Sequence, residues 1–304
     1  MSLISDIDEK SLQSARENVE RNEGKLGHRI AIFESTPDGP FFPLDKFGIG
    51  RLDFSMCNPP FYESVEEMFA SAQSKQLPPS SACTGTTTEM VNTPGGEVSF
   101  VLRIFRSSLE LAATNSCHST WFTTMLGKLS SVSAITAVIK PHTTNYALTE
   151  FKQGSTRRWG LAWSFGDRRP SQLAERYGSS HVRGLMPFPT EFEFNVAGRV
   201  VDVAAVVEAL GKELELKSWG MQVVEGRVVA NGEAAGNVWS RAARRAKARG
   251  EKVEMGGDGG LKLGFRVEVS AREGGCVVLV RWVAGSDQVL FESFCGVIRR
   301  KFRE

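Results

Sequence analysis

The chain has 304 residues, room for two domains, and its 41% hydrophobic content suits a soluble globular protein rather than a disordered or membrane-spanning one. Lys and Arg number 37 against 35 Asp and Glu, a formal net charge of +2, so global charge selects no partner and any nucleic-acid surface has to be local. The five cysteines (Cys57, Cys83, Cys117, Cys276, Cys295) lack Cys-x-x-Cys spacing and the four histidines are scattered. With no signal peptide and no apolar run long enough for a bilayer, the expectation is reduced thiols, no metal, no membrane, and a nuclear or cytoplasmic protein.

Residues 1–8 alternate as a short strand, and 9–22 carry Leu12, Ala15 and Val19 at helical spacing. Asp6 stands at the end of that strand, and Asp8 where a helix cap is wanted. Residues 28–34 read as the next strand and 35–43 as a loop bearing Pro and Gly. Residues 52–61, Leu-Asp-Phe-Ser-Met-Cys-Asn-Pro-Pro-Phe, read as a buried strand stopped by Pro59 and Pro60, which have no N–H to continue a ladder. Asn58 is thereby held at the strand's carboxyl end, where ligands bind in open α/β sheets. The Asn58 side-chain oxygen and the Pro59 carbonyl form a pair of acceptors suited to an exocyclic amine with two N–H bonds. Phe61 adds a ring on which an extruded base can lie. These four residues alone fit a rigid turn with a capping Asn equally well.

Residues 63–76 have modest helical spacing, and 78–96 form a long polar stretch of Pro, Ser, Thr and Gly. An amphipathic helix follows over 96–113, with Val98, Val101, Leu102, Phe105 and Leu109 expected on its inner face. Then come a strand at 119–126, a helix at 128–138, and a terminal pair of strands at 144–151 and 158–165, with Gln153-Gly154 at the turn and Arg157 and Arg158 beside it.

These downstream stretches break the tie at Asn58. Cys57-Asn58-Pro59-Pro60-Phe61 is followed by Pro78-Pro79-Ser80-Ser81, Thr84-Gly85, Thr88-Glu89-Met90, Gly95-Gly96-Glu97 with Phe100, and Met125-Leu126-Gly127-Lys128. Then come Glu150-Phe151-Lys152-Gln153-Gly154, Arg158-Trp159 and Ala162-Trp163-Ser164-Phe165. In this order, over more than half of the chain, they resemble the adenine-N6 RNA methyltransferase family. The resemblance implies an α/β fold with a Rossmann-like class I methyltransferase sheet, S-adenosyl-L-methionine as cofactor, and a structured RNA such as U6 small nuclear RNA as substrate. It implies catalytic roles for Asn58, Pro59, Pro60 and Phe61, with Asn58 also at the cofactor, and Asp6 on the cofactor ribose. Lys75 and Arg158 would touch RNA phosphates, and 78–96 would gate the substrate. In such a sheet the strand at 1–8 is the second; a first strand with its glycine-rich turn and a basic RNA-binding module are expected before it. The sequence leaves two accounts of that: an incomplete chain, or a protein with impaired cofactor binding that keeps its grip on RNA.

The expected organisation is an incomplete methyltransferase domain over 1–166, a linker over 167–189 rich in Arg, Pro, Ser and Gly, and a smaller α+β RNA-binding domain over 190–304. Within the last, 191–196 reads as a strand, 201–216 as a helix, 221–229 as a strand broken by Gly226, and 232–250 as a helix. A hairpin over 261–271 and 275–284 and a helix over 288–303 complete it. Six basic residues stand against one acid between Trp239 and Lys252. Helical spacing gathers Arg241, Arg244, Arg245 and Arg249 on one side, a stripe that can follow a phosphate backbone. Trp239 and Trp282 read as core anchors. Asn237-Val238-Trp239 with the following arginines, and Arg281-Trp282-Val283-Ala284-Gly285 with Phe294-Cys295 and Ile298-Arg299-Arg300, resemble the carboxyl-terminal RNA-binding region of eukaryotic members.

Overall fold

The computed structural model describes residues 1–26, 29–73, 87–114, 120–154, 156–197, 203–214, 216–249 and 261–302. They fall into two compact units, 1–142 with 150–165, and 143–149 with 166–304.

The first unit opens with β1 (Ser2–Asp6), α1 (Glu9–Glu20), α2 (Glu23–Leu26) and β2 (Ile30–Glu34). β1 and β2 pair in parallel from Ser2↔Ile30 to Asp6↔Glu34 and form a two-stranded sheet of their own. Leu12 anchors α1 as its buried residue, with Ala15 and Val19 partly covered on the same face. Next come β3 (Phe54–Cys57), α3 (Val65–Gln73), α4 (Thr87–Met90), α5 (Gly96–Ala113), β4 (Trp121–Leu126), α6 (Leu129–Ile139), β5 (Tyr146–Gln153), of which only 150–153 count with this unit, and β6 (Thr156–Trp163). β3 and β4 are parallel and β6 runs antiparallel to β4, so the sheet is mixed. The α/β, Rossmann-like expectation holds.

The inner face of α5 is turned slightly from the expected one. Val101 and Phe105 are buried as read, but Ile104, Ser108, Ala112 and Glu97 join them, while Val98, Leu102 and Leu109 are only partly covered. Two polar groups are thus admitted because they have partners. Ser108 Oγ accepts the Trp163 indole N–H at 3.0 Å, and Trp163 stacks on Phe122 with centroids 6.0 Å apart and packs edge-on to Phe105 at 5.7 Å. Burying those three rings contributes about 1.5–3 kcal/mol each.

The stretch 166–189 carries structure of its own and counts with the second unit. It holds α7 (Gln172–Glu175), β7 (Arg176–Tyr177) and a 3-10 turn over Ser180–Leu185 with Val182 buried. The Arg169 guanidinium lies 4.0 Å from the Trp282 ring centroid, and the Arg169 N–H donates to Val283 O at 2.9 Å. An Arg- and Pro-rich composition marks turns there rather than a free tether, because the side chains and backbone find partners.

The rest of the second unit comprises β8 (Glu191–Ala197), α8 (Val203–Glu213), β9 (Ser218–Val224), β10 (Arg227–Ala234), α9 (Arg241–Ala248), β11 (Leu263–Arg272), β12 (Gly275–Ala284) and α10 (Gln288–Lys301). The sheet order is β8-β12-β11-β10-β9, antiparallel throughout. Two expectations are corrected here. The single strand over 221–229 is a hairpin: Glu225 and Gly226 both take positive φ (49° and 73°), the conformation of a two-residue turn that reverses the chain. Residues 232–234, read as the start of a helix, finish β10, and the helix waits for Ser240, whose side chain caps the Ala243 N–H at 3.0 Å. The core joins α8, α10 and the sheet around Phe265, Phe291 and Phe294. Trp239 and Trp282 are buried in it, the first donating to Ser293 Oγ at 3.0 Å and the second stacked on Phe291 at 5.2 Å.

Candidate active site

The strand pattern collects three segments at one edge of the sheet. Parallel pairing aligns the ends of β3 and β4, from Phe54↔Trp121 to Cys57↔Thr124, and the antiparallel register Leu126↔Trp159 brings the start of β6 beside the end of β4. The turn after β3, the turn after β4 and Arg158 therefore meet at the sheet's carboxyl end.

In the first of these turns Pro59 is buried and Asn58 is exposed. The proline stakes the backbone while the Asn58 amide stands away from the core. Downstream the chain is laced to the end of α4 and the residues that follow it: Tyr62 N–H donates to Met90 O at 3.1 Å, and Asn92 N–H to Tyr62 O at 2.9 Å. Upstream, desolvation pushes the Cys57 thiol up to about 12 in spite of a hydrogen bond with Thr124, although the residue keeps some exposed surface. Cys57 is an inert neighbour at neutral pH.

Phe61 is braced from two sides. A Cβ on Gly127 would lie 3.0 Å from Phe61 Cδ1 and 3.3 Å from Glu97 Oε2, so the turn after β4 approaches this closely only because position 127 has no side chain. From β6 the Arg158 guanidinium lies 5.1 Å from the Phe61 ring centroid, a cation over an aromatic face. The ring expected as a bare stacking plate thus carries a cation, because the register of β6 delivers Arg158 to it.

Glu97 was visible in the sequence only as part of a motif, and the structure gives it a job. It is 2% exposed, and its carboxylate accepts the Gly127 N–H at 2.7 Å and the Lys128 N–H at 3.0 Å. Gly96 enters α5 with φ +52°, and a Cβ there would sit 3.3 Å from Glu63 N. The glycine permits the sharp entry, and the acid in the first turn of α5 is set beneath the β4 turn. The signal was a glycine pair directly before a helix with Glu in its first turn. A second tie, the ion pair between Lys128 Nζ and Glu67, was not foreseen. The Lys128 hydrogen bond, with one from the Glu63 N–H, holds the Glu67 carboxyl below its usual range.

At the end of β1, Asp6 Oδ1 accepts the N–H groups of Ile7 at 2.7 Å and Asp8 at 3.0 Å. Asp8 caps α1 through the Ser11 N–H at 3.0 Å, as its position suggested. Ser11 Oγ donates to Glu89 Oε1 at 2.5 Å, which ties α4 to the first turn of α1 and accounts for the acid in Thr88-Glu89-Met90. An ionised carboxylate only accepts hydrogen bonds, and Asp6 Oδ2 takes none among the described residues, so its chemistry fits a ribose diol.

Asn58, Pro59, Pro60, Phe61 and Arg158 are thus brought together. Asp6 stands at the end of its own two-stranded sheet, and Lys75 and residues 78–86 lie outside the described residues. Arg157 is held by Glu150 at 2.7 Å. Arg241, Arg244, Arg245 and Arg249 are all exposed on α9 and its carboxyl cap, in the second unit. Among the described residues no group of three His, Cys, Asp or Glu could hold a metal ion, and no helix is long and apolar enough to cross a membrane.

Residues 2–167 match a protein family described as RNA methyltransferase. Over 302 residues the chain is 30% identical to the U6 small nuclear RNA (adenine-(43)-N(6))-methyltransferase of Schizosaccharomyces pombe, covering 98% of this chain and 72% of that protein. It is 33% identical over 236 residues to the RNA N(6)-adenosine-methyltransferase METTL16 of Mus musculus, covering 75% of this chain and 38% of the mouse protein, so it spans well under half of that relative. Among solved structures, the hMettl16 catalytic domain in complex with MAT2A 3′UTR hairpin 1 is 33% identical over 59% of each chain, with a TM-score of 0.47.

Proposed function

This chain belongs to the RNA methyltransferase family, and from that premise we propose that its first unit methylates the N6 amine of an adenine in RNA, with U6 small nuclear RNA, the substrate named for the fission-yeast relative, as the first candidate. The observation that carries the reading is the exposed Asn58 on a turn staked by buried Pro59. The adenine amine is a poor nucleophile because its lone pair is delocalised into the ring. The Asn58 oxygen and the Pro59 carbonyl each accept one of its N–H bonds, which favours a more tetrahedral nitrogen and directs the lone pair. The base lies on Phe61, displacing the Arg158 guanidinium towards a flanking phosphate, a reading supported by the cation 5.1 Å from the centre of that ring.

S-adenosyl-L-methionine, when bound, supplies an electrophilic methyl group, and Asp6 would hold its ribose hydroxyls. Asn58 and the Pro59 carbonyl orient the amine, and the Glu97-held turn at Gly127 keeps Phe61 in place. No residue is asked to act as a general base, because the nitrogen loses its proton readily to water once it has taken the methyl group. The second unit supplies the grip on structured RNA through the exposed arginines of α9.

The test is transfer of labelled methyl groups to U6 RNA, compared between the parent protein and Asn58→Ala. Loss of at least a hundredfold in turnover with unchanged RNA affinity is expected, the order found for removing one oriented polar contact in a transition state. Transfer by Asn58→Ala at the parent rate would overturn the role given to this turn.

A further inference from the structure

The second unit contains a cleft of about 160 Å³ between α9, α10 and the end of α8. Its floor includes Trp239, whose indole N–H is committed to Ser293. Its rim carries Arg244 and Lys247 from α9 and Arg300 and Lys301 from α10, with Glu213 as the one acid. Four cations against one carboxylate leave +3 around this one hollow, more than the +2 formal net charge of the whole chain.

We propose that this cleft is a subsite for one unpaired nucleotide of a structured RNA, the phosphate on the cationic rim and the ribose or base edge on the apolar floor. The inference rests on the reading that the second unit binds RNA. The volume decides against a duplex and in favour of a single unit, since it is close to the roughly 150 Å³ that holds one benzene ring. An apolar floor is wasted on a bare phosphate, and a cationic rim on an apolar ligand; a nucleotide uses both. Two rim lysines are already oriented by the protein. Lys301 Nζ pairs with Glu213 at 2.8 Å, and Lys247 Nζ donates to the Glu213 carbonyl at 3.2 Å. Arg244 and Arg300, from the two facing helices, then present guanidinium groups able to take a phosphate in bidentate fashion. The exposed Arg241, Arg245 and Arg249 continue the positive surface along α9, so a backbone following that stripe can drop one nucleotide into the hollow.

The experiment uses the full chain with two hairpins of equal length, one carrying a single-nucleotide bulge and one fully paired, plus adenosine monophosphate as a competitor. Arg244→Gln with Arg300→Gln, and separately Val238→Phe, which fills the lined hollow without changing charge, should each weaken the bulged hairpin at least tenfold. The paired hairpin should lose less than threefold. Adenosine monophosphate should relieve the preference for the bulge. Thermal melting checks that each variant folds. Equal losses on both hairpins would make the rim part of a general charged surface and overturn the subsite. Unchanged binding of the bulged hairpin by the variants would overturn it as well, while leaving RNA binding by the chain intact. A parent protein that binds neither hairpin would overturn both the subsite and the reading on which it rests.

Discussion

Replacing Glu97 with Gln tests whether a buried carboxylate holds the catalytic edge together. The parent side chain accepts two backbone N–H groups, at 2.7 and 3.0 Å, from a turn in which Gly127 abuts Phe61. Each hydrogen bond to a charged group contributes about 1.5–3 kcal/mol. Glutamine keeps one acceptor but must turn an NH₂ group towards the other N–H, so the local cost is about 2–3 kcal/mol, and Ala, which loses both bonds, costs about twice that. A chain of two units need not unfold in one step, so the measurement is amide hydrogen exchange across residues 121–132 rather than a single melting temperature. At 1.4 kcal/mol per tenfold, exchange at Gly127 and Lys128 should rise about 30- to 150-fold in Glu97→Gln. Glu110→Gln, an exposed position on the same helix, should change nothing. If Glu97→Gln exchanges within twofold of the parent over this segment, the two bonds do not hold the turn and the role given to Glu97 is wrong.

Gly96→Ala should destabilise the first unit by about 1–2 kcal/mol, because φ +52° is a left-handed conformation that a side chain disfavours; chemical denaturation followed through Trp163 reads it. Cys57 and Cys295, both pushed up to about 12, should alkylate about a thousandfold more slowly than a free thiol at pH 8 and at the ordinary rate in denaturant, as mass spectrometry would show. The same shift sets a sign for stability: between about pH 9 and 12 the unfolded thiols ionise while the folded ones stay protonated, so stability should fall as pH rises through that window, and denaturant midpoints measured across it check this. Arg241→Ala with Arg245→Ala should lower the slope of log affinity against log salt by about 2 for any RNA, without changing the preference for a bulge.

Much of the catalytic half was legible because its signals are local. Helical spacing located α5 to its terminal residues, and a double proline after an apolar run located the end of β3, but the strand read as buried lies at the edge of its sheet and exposes Phe54 and Met56. The errors fell where one residue type serves two structures. Glu225-Gly226 looks like a flaw in a strand until positive φ at both positions makes it a turn. Gly232 looks like part of a helix, yet it lies in β10 opposite Phe265, where the missing side chain makes room for that ring: a Cβ there would meet Phe265 Cζ at 2.6 Å.

The sequence by itself determined the family, the chemistry expected at Asn58, Pro59, Pro60 and Phe61, and the basic stripe on α9, since each is written in contiguous residues or in a fixed helical spacing. Only the tertiary structure decided that Glu97 sits under the Gly127 turn, that Arg158 covers Phe61, and that α9 and α10 enclose a cationic hollow. Those three arrangements join residues 30, 97 and about 56 positions apart, the first set by a hydrogen bond from Gly127 to Glu97, the second by the register of β6 on β4 and the third by packing around Trp239 and Phe294. Strand register and helix packing are properties of the closed core, and no local pattern in the chain encodes them.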